Sequence, residues 1–168
     1  MLAMLIDTHA HLDYPDFQND LPAVIEAARL AGVTRIISIG TGVESSRRAV
    51  ALAEKYDSVY AVVGLHPTNV SEETGDWLTA LRELATHPKV AAIGETGMDY
   101  YRLPSEQLAS SPALSALQAE MASDTEAAII DGAYKAAQAE AFAAQLDLAA
   151  ELTGFRHDEM GFDDDIPF

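Results

Sequence analysis

Val59-Tyr60-Ala61-Val62-Val63-Gly64 is an unbroken apolar run closed by a glycine. A strand with one face in water alternates apolar and polar residues. A strand that is apolar throughout is covered on both faces, as in parallel sheets. Upstream, Thr34-Arg35-Ile36-Ile37-Ser38-Ile39 is a second β-rich run, ending at Gly40-Thr41-Gly42. Downstream, Val90-Ala91-Ala92-Ile93-Gly94-Glu95 is another. A shorter apolar run, Met4-Leu5-Ile6, leads into Asp7-Thr8-His9. Strand starts near 4, 34, 59 and 90 give a period near thirty residues. Helical patterns fill the gaps. Residues 21–30 have Asn19 or Asp20 as cap, Pro22 in the first turn and Gly32 as the stop. Residues 45–56 follow, then 77–85, with Trp77, Leu78, Leu81 and Leu84 on one side. The expected class is α/β, about four parallel strands with outer helices and right-handed connections.

A closed eight-unit barrel takes roughly 250 residues, and about 200 at least. At 168 residues this chain does not close one alone. The choice is a complete open α/β sheet or an incomplete (β/α) TIM-type barrel. The expected organisation is four strand units over 1–102, a helical insertion over 103–132, a barrel helix over 133–154 and a disordered acidic tail over 155–168. The insertion is rich in Ala and Ser, with a helix start at Ser111-Pro112 and Leu114, Leu117 and Met121 on one face. The barrel helix, over 134–152, is expected to bury Ala139, Phe142, Leu146 and Ala149.

Hydrophobic residues make up 49% of the chain, which excludes a wholly disordered or fibrous protein. There is no cysteine, so any metal must be held by His, Asp or Glu. That composition fits a reducing compartment. The first six residues are apolar but short and carry no Lys or Arg. They read as neither signal peptide nor membrane span, so the expected location is cytoplasmic, with no membrane partner. Net charge is −17, with 14 acids and 8 bases in 1–102 and 13 acids and 2 bases in 103–168. Such a surface repels a phosphate backbone and argues against non-specific nucleic-acid binding, unless bound metal ions supply local positive charge.

Chemistry concentrates at strand ends. In Asp7-Thr8-His9-Ala10-His11-Leu12-Asp13, alternation places His9 and His11 side by side at the carboxyl end of a strand, where barrels and open α/β sheets bind ligands. Neutral imidazoles suit Zn, Mn and similar ions, and Asp7 or Asp13 is a candidate to orient a ring. His66, in Gly64-Leu65-His66-Pro67, sits at the same edge, to bind metal, bind substrate phosphate or serve as a loop residue. Glu95 lies between Gly94 and Thr96-Gly97 at a buried strand's end, where an unpaired carboxylate is costly, so it should be paired or bound to a cation. Facing His9 and His11, it completes a set of two histidines and one carboxylate. Asp99 and Arg102 are candidates for substrate contacts or for supporting the ligands; Asp99 also suits a turn. Gly40-Thr41-Gly42 has Ser45 where a dinucleotide loop would want a third glycine, and follows the second strand, which weighs against that reading.

DTHAHLD, AVVGLHP and AIGETGMDYYR, in this order, resemble the amino-terminal half of the TatD family of metal-dependent deoxyribonucleases, and residues 138–152, QAEAFAAQLDLAAEL, are similar to the family helix that follows. The resemblance implies a (β/α) barrel with a two-metal site that hydrolyses phosphodiester bonds in DNA. His9, His11 and Glu95 match family metal ligands, Glu95 at the position that bridges two ions; the implied cofactor is a divalent ion (Mg, Mn or Zn). Residues 103–132 are inserted relative to the family pattern. The family's later ligands, two histidines and an aspartate on the fifth, sixth and eighth strands, have no counterparts here. His157 and Asp158 lie in the polar tail with no strand before them and are not read as replacements. The expectation is therefore a truncated hydrolase of doubtful activity, prone to self-association through an open sheet edge.

The last residues carry a separate resemblance. Phe162, Asp163, Asp164, Asp165, Ile166, Pro167 and Phe168 are similar to the carboxyl-terminal tip of bacterial single-stranded DNA-binding proteins, which docks on replication and repair proteins. Phe168 and Ile166 would fill an apolar pocket while the acids meet Arg or Lys. The alternative function is thus a non-catalytic interaction protein that joins DNA-maintenance proteins through this tip.

Overall fold

In the computed structural model, which describes residues 4–101 and 124–153, Ile36, Ile37, Ser38 and Ile39 pair in parallel with Val59, Tyr60, Ala61 and Val62 without a break. This is the centre of the sheet, where both apolar runs are covered. Around it stand β1 (Leu5–Ala10), β2 (Val33–Ile39), β3 (Val59–Val63) and β4 (Val90–Ile93), all parallel and side by side in chain order. A doubly wound sheet reverses its order at a switch point. Uninterrupted chain order is the barrel habit, with the helices on one side.

The helices are α1 (Leu21–Leu30), α2 (Val43–Lys55), α3 (Trp77–Ala85) and α4 (Asp124–Thr153). Pro22 sits in the first turn of α1, and Gly32 beyond its end takes a positive φ of 94°. Asp20 holds the cap position of α1 without a side-chain capping bond. In α3 the Asp76 carboxylate accepts from the Thr79 N–H at 3.1 Å, and that bond holds its pKa below the usual carboxylate value. Ala49 and Ala53, both fully buried, bring α2 close onto β3, and α3 adds Leu81 to the same core. Helix α2 starts at Val43, after Gly42 at its cap position, two residues earlier than the sequence pattern indicates.

The long last helix differs most from expectation. It starts at Asp124 and runs through Gly132, so residues 124–132 of the expected insertion are continuous with the barrel helix. Its buried side is Tyr134, Gln138, Ala141, Gln145 and Leu148. Ala139, Phe142, Leu146 and Ala149 are only half-buried, one position round the helix from the true contact face. The reason is chemical: α4 docks through two glutamines. Gln145 Oε1 accepts from Leu65 N–H at 2.7 Å, while its Nε2 donates to Leu65 O at 3.0 Å and Thr96 Oγ1 at 2.8 Å. Gln138 Oε1 accepts from Asp99 N–H at 2.9 Å, and its Nε2 donates to Pro67 O and Asp99 O, both at 3.1 Å. A hydrophobic pattern cannot register such a face.

The two outer strands are open. Met4, Leu5 and Ile6 are 82%, 50% and 59% exposed, and Ala91 and Ala92 of β4 are exposed too. No described helix is long and apolar enough to cross a membrane. Arg102, the remainder of the expected insertion with Leu114, Leu117 and Met121, and the tail from 154 onward lie outside the described residues.

Two glycines make opposite demands. A Cβ on Gly64 would stand 1.7 Å from Gly94 O, backbone against backbone, whereas a Cβ on Gly132 in α4 meets nothing within 4 Å. Gly64→Ala should therefore lose about 3 kcal/mol of unfolding free energy, and Gly132→Ala should gain roughly 0.5–1 kcal/mol. Urea denaturation of both variants checks the pair; a neutral Gly64→Ala would contradict the packing.

Candidate metal centre

The site begins with an irregularity in β1. Between Asp7, paired with Ile36, and Ala10, paired with Ser38, β1 uses one residue more than β2. Such a bulge re-aims side chains and frees backbone groups from the ladder. Asp7 Oδ1 accepts the His9 N–H at 3.1 Å, so the carboxylate braces the bulge and does not orient an imidazole. Asp13 does not orient one either. Its side chain is fully buried, and Oδ2 accepts from Ser45 Oγ at 2.8 Å and Arg48 at 2.9 Å, tying the loop after β1 to α2. Both aspartates thus hold the segment carrying the histidines, not the rings.

The ring of His11 is fixed by other means. Its Nδ1 lies 3.1 Å from Ile39 O, at the end of β2. A carbonyl only accepts, so Nδ1 carries the hydrogen and Nε2 of the neutral ring has a free lone pair. Tyr14 stacks on the same ring at 4.8 Å with an interplanar angle of 19°. The His9 and His11 rings meet edge to face, 5.1 Å between centroids.

Glu95 closes the set from the far side of the sheet. It sits two residues beyond β4, in the loop, and is half-buried, so its environment is wetter than its glycine-flanked context suggests. Its Oε1 is 3.2 Å from His9 Nε2 and its Oε2 is 3.7 Å from His11 Nε2. The ligand atoms of His9, His11 and Glu95 lie within 4.8 Å of one another. With Nδ1 of His11 donating to Ile39, its Nε2 lone pair faces a carboxylate oxygen. Two acceptors face to face are favourable only with a proton or cation between them. The donor set, two imidazole nitrogens and one carboxylate, therefore fits a divalent metal ion, with a backbone carbonyl holding one ring in the ligating tautomer.

The other candidates fall around this cluster. His66 stands outside the three-ligand group found among the described residues. Its Nδ1 accepts from Thr68 N–H at 3.2 Å, and its backbone N–H donates to Thr41 O at 3.0 Å, pinning the loop after β3 to the end of β2. Its Nε2 therefore carries the ring hydrogen as a donor. Asp99 Oδ1 accepts from Tyr101 N–H at 2.9 Å, the turn role that suits a short carboxylate, while its main chain is held by Gln138. Sequence reasoning missed the Ile39 carbonyl, which no side-chain pattern announces, and the two glutamines. For the glutamines a signal existed: two amides seven residues apart in an alanine-rich helix share one face.

Comparison with known proteins bears on the same residues. The family model described as TatD related DNase matches residues 6–155. A Bacillus subtilis protein named uncharacterized metal-dependent hydrolase YabD is 43% identical over 98 residues, covering 58% of this chain and 38% of the relative. The 3'-5' ssDNA/RNA exonuclease TatD of Musicola paradisiaca is 39% identical over 121 residues, covering 70% of this chain and 46% of that protein. The crystal structure of YjjV, a TatD homologue from Escherichia coli, superposes with a TM-score of 0.68 at 30% identity, over 91% of this chain and 49% of that one. The chain spans less than half the length of each of these three. The match runs from the strand that carries the histidine pair, through Glu95, to the end of the helix that braces the loops beside it, and over that span the chain belongs to the TatD related DNase family.

Proposed function

We propose that the chain is a metal-dependent hydrolase of the TatD type, acting on phosphodiester bonds of DNA. The observation that carries this reading is the convergence of His9 Nε2, His11 Nε2 and the Glu95 carboxylate at one rim of the sheet. These three residues would hold the ion, Mg, Mn or Zn. When bound, such an ion supplies Lewis-acid stabilisation of phosphoryl oxygens and a water of lowered pKa. His66, with its ring hydrogen on Nε2, is proposed to donate to a phosphate oxygen, and Asp99 and Arg102 to line the path of the substrate strand. The half-exposed position of the centre suits a long polymer better than a small enclosed molecule, with His9 55% exposed. Among the described residues the ligand group is these three side chains.

Mn2+ titration by calorimetry tests the reading. The wild-type chain should bind Mn2+, and His9→Ala with His11→Ala should weaken binding by far more than about tenfold, the scale at which even outer partners of a ligand matter. Cleavage of a labelled single-stranded oligonucleotide, however slow, should fall with it. Unchanged Mn2+ affinity in the double variant would remove the hydrolase reading.

The exposed edge strands favour one accompanying proposal: the chain self-associates through β1, where Met4, Leu5 and Ile6 stand open. Sedimentation velocity should show concentration-dependent dimers or larger species, reduced by Ile6→Lys; a monomer at all concentrations refutes it.

A second reading concerns residues 160–168, Met-Gly-Phe-Asp-Asp-Asp-Ile-Pro-Phe. We propose that they dock on DNA replication or repair proteins, Ile166 and Phe168 in an apolar pocket and the aspartates on basic residues. A peptide of 160–168 should compete with a single-stranded DNA-binding protein tip for a repair protein that binds such tips. The peptide carrying Phe168→Ala should not, and equal competition by both would refute the docking role.

A further inference from the structure

We infer that Gln145 is a positioning residue for Glu95, acting through Thr96; the inference rests on the metal-site reading above. Gln145 is 1% exposed, one of two amides on a buried helix face otherwise made of Tyr134, Ala141 and Leu148. Burying an amide is costly unless each of its groups is paired. Here all are paired: Oε1 accepts from Leu65 N–H, and Nε2 serves Leu65 O, Thr96 Oγ1 and, at 3.2 Å, Ala141 O. The two bonds to Leu65 satisfy both of its backbone groups, as a reciprocal pair of antiparallel residues would, two residues beyond the end of β3.

That clamp falls beside the proposed metal ligand. β4 ends at Ile93, two residues short of Glu95. On the near side Gly94 N–H donates to Val63 O at 3.1 Å. On the far side the Thr96 hydroxyl accepts from Gln145. Gly64 lies under both: a Cβ there would strike Gly94 O at 1.7 Å and stand 3.1 Å from Gln145 Oε1. Glu95 is thus bracketed by two tied residues, and one of the ties belongs to α4. Gln138 provides an internal comparison. It is fully buried on the same face and clamps Pro67 and Asp99, but its bonds do not reach a residue adjacent to Glu95.

Mn2+ binding by the whole chain, followed through the electron paramagnetic resonance signal of the free ion, separates positioning from simple helix docking. The variants are Gln145→Met, Thr96→Val and Gln138→Met, each measured where circular dichroism shows it folded. Gln145→Met and Thr96→Val should each weaken Mn2+ affinity by about tenfold or more, and Gln138→Met by less than about twofold. The double variant Gln145→Met with Thr96→Val should bind about as well as either single one, because both remove one tie. If Gln145→Met costs no more than Gln138→Met, Gln145 only docks the helix and the proposal is overturned. Should Gln145→Met not fold, Thr96→Val decides: wild-type affinity in that variant overturns the proposal equally. Wild-type protein that binds no Mn2+ would bring down the metal reading itself, and the positioning role with it, a result distinct from a wild type that binds and a Gln145→Met variant that binds equally well.

Discussion

A parallel sheet laid down in chain order carries every strand's carboxyl end to one rim, and the site depends on the curvature of that rim. Neighbouring strands lie about 4.8 Å apart, so in a flat sheet β1 and β4 would stand about 14 Å from each other. Yet His9, at the end of β1, and Glu95, just past β4, approach to 3.2 Å. The two side chains and the loop after β4 span part of that gap, and the curl that parallel strands laid in chain order adopt in a barrel shortens the rest. Bulges in both the β1–β2 and β3–β4 pairings supply local bending of this kind. The bulge after Asp7 re-aims the His9 side chain, and the loop beyond Ala10 brings His11 beside it.

Much of this was legible in the sequence, for identifiable reasons. β3, α1 and α3 follow directly from apolar runs, a proline near a helix start and glycines at ends, all local signals. His9 and His11 were readable as a pair because they stand two apart, and Glu95 because glycines flank it at a strand end. The detail of the supports was not readable. Asp7 and Asp13 were natural candidates to hold imidazoles, but a bulge gave Asp7 a backbone N–H to satisfy, and Arg48 and Ser45 claimed Asp13. Neither outcome leaves a trace in spacing. The face of α4 was misread by one position because its contacts are amide to backbone, and an apolar count treats Gln138 and Gln145 as surface residues. The strand limits differed in opposite senses, β1 running on to Ala10 and β4 stopping at Ile93, because the ladder and not composition sets where a strand ends.

The electrostatics frame the chemistry. A chain of net charge −17 offers little general attraction to a polyanion. A cation held by His9, His11 and Glu95 would be the strongest local positive charge at the strand ends, and recognition of a phosphate would then be concentrated at the ion instead of spread along a basic groove. The open flanks of β1 and β4 belong to the same picture. Among the described residues, Leu5 and Ile6 of β1 and Ala91 and Ala92 of β4 are exposed, on either side of the rim that carries the ligand set.

The bond between Gln145 and Leu65 joins residues 80 positions apart. Contacts of that separation close last, because the entropy of a long loop must be overcome before they stabilise anything. The core of β2, β3 and α2 can form early from near neighbours in the chain. The tie between Thr96, next to Glu95, and Gln145 forms only once α4 has docked. On the positioning role proposed above, the rim around Glu95 is therefore completed after the core that supports it.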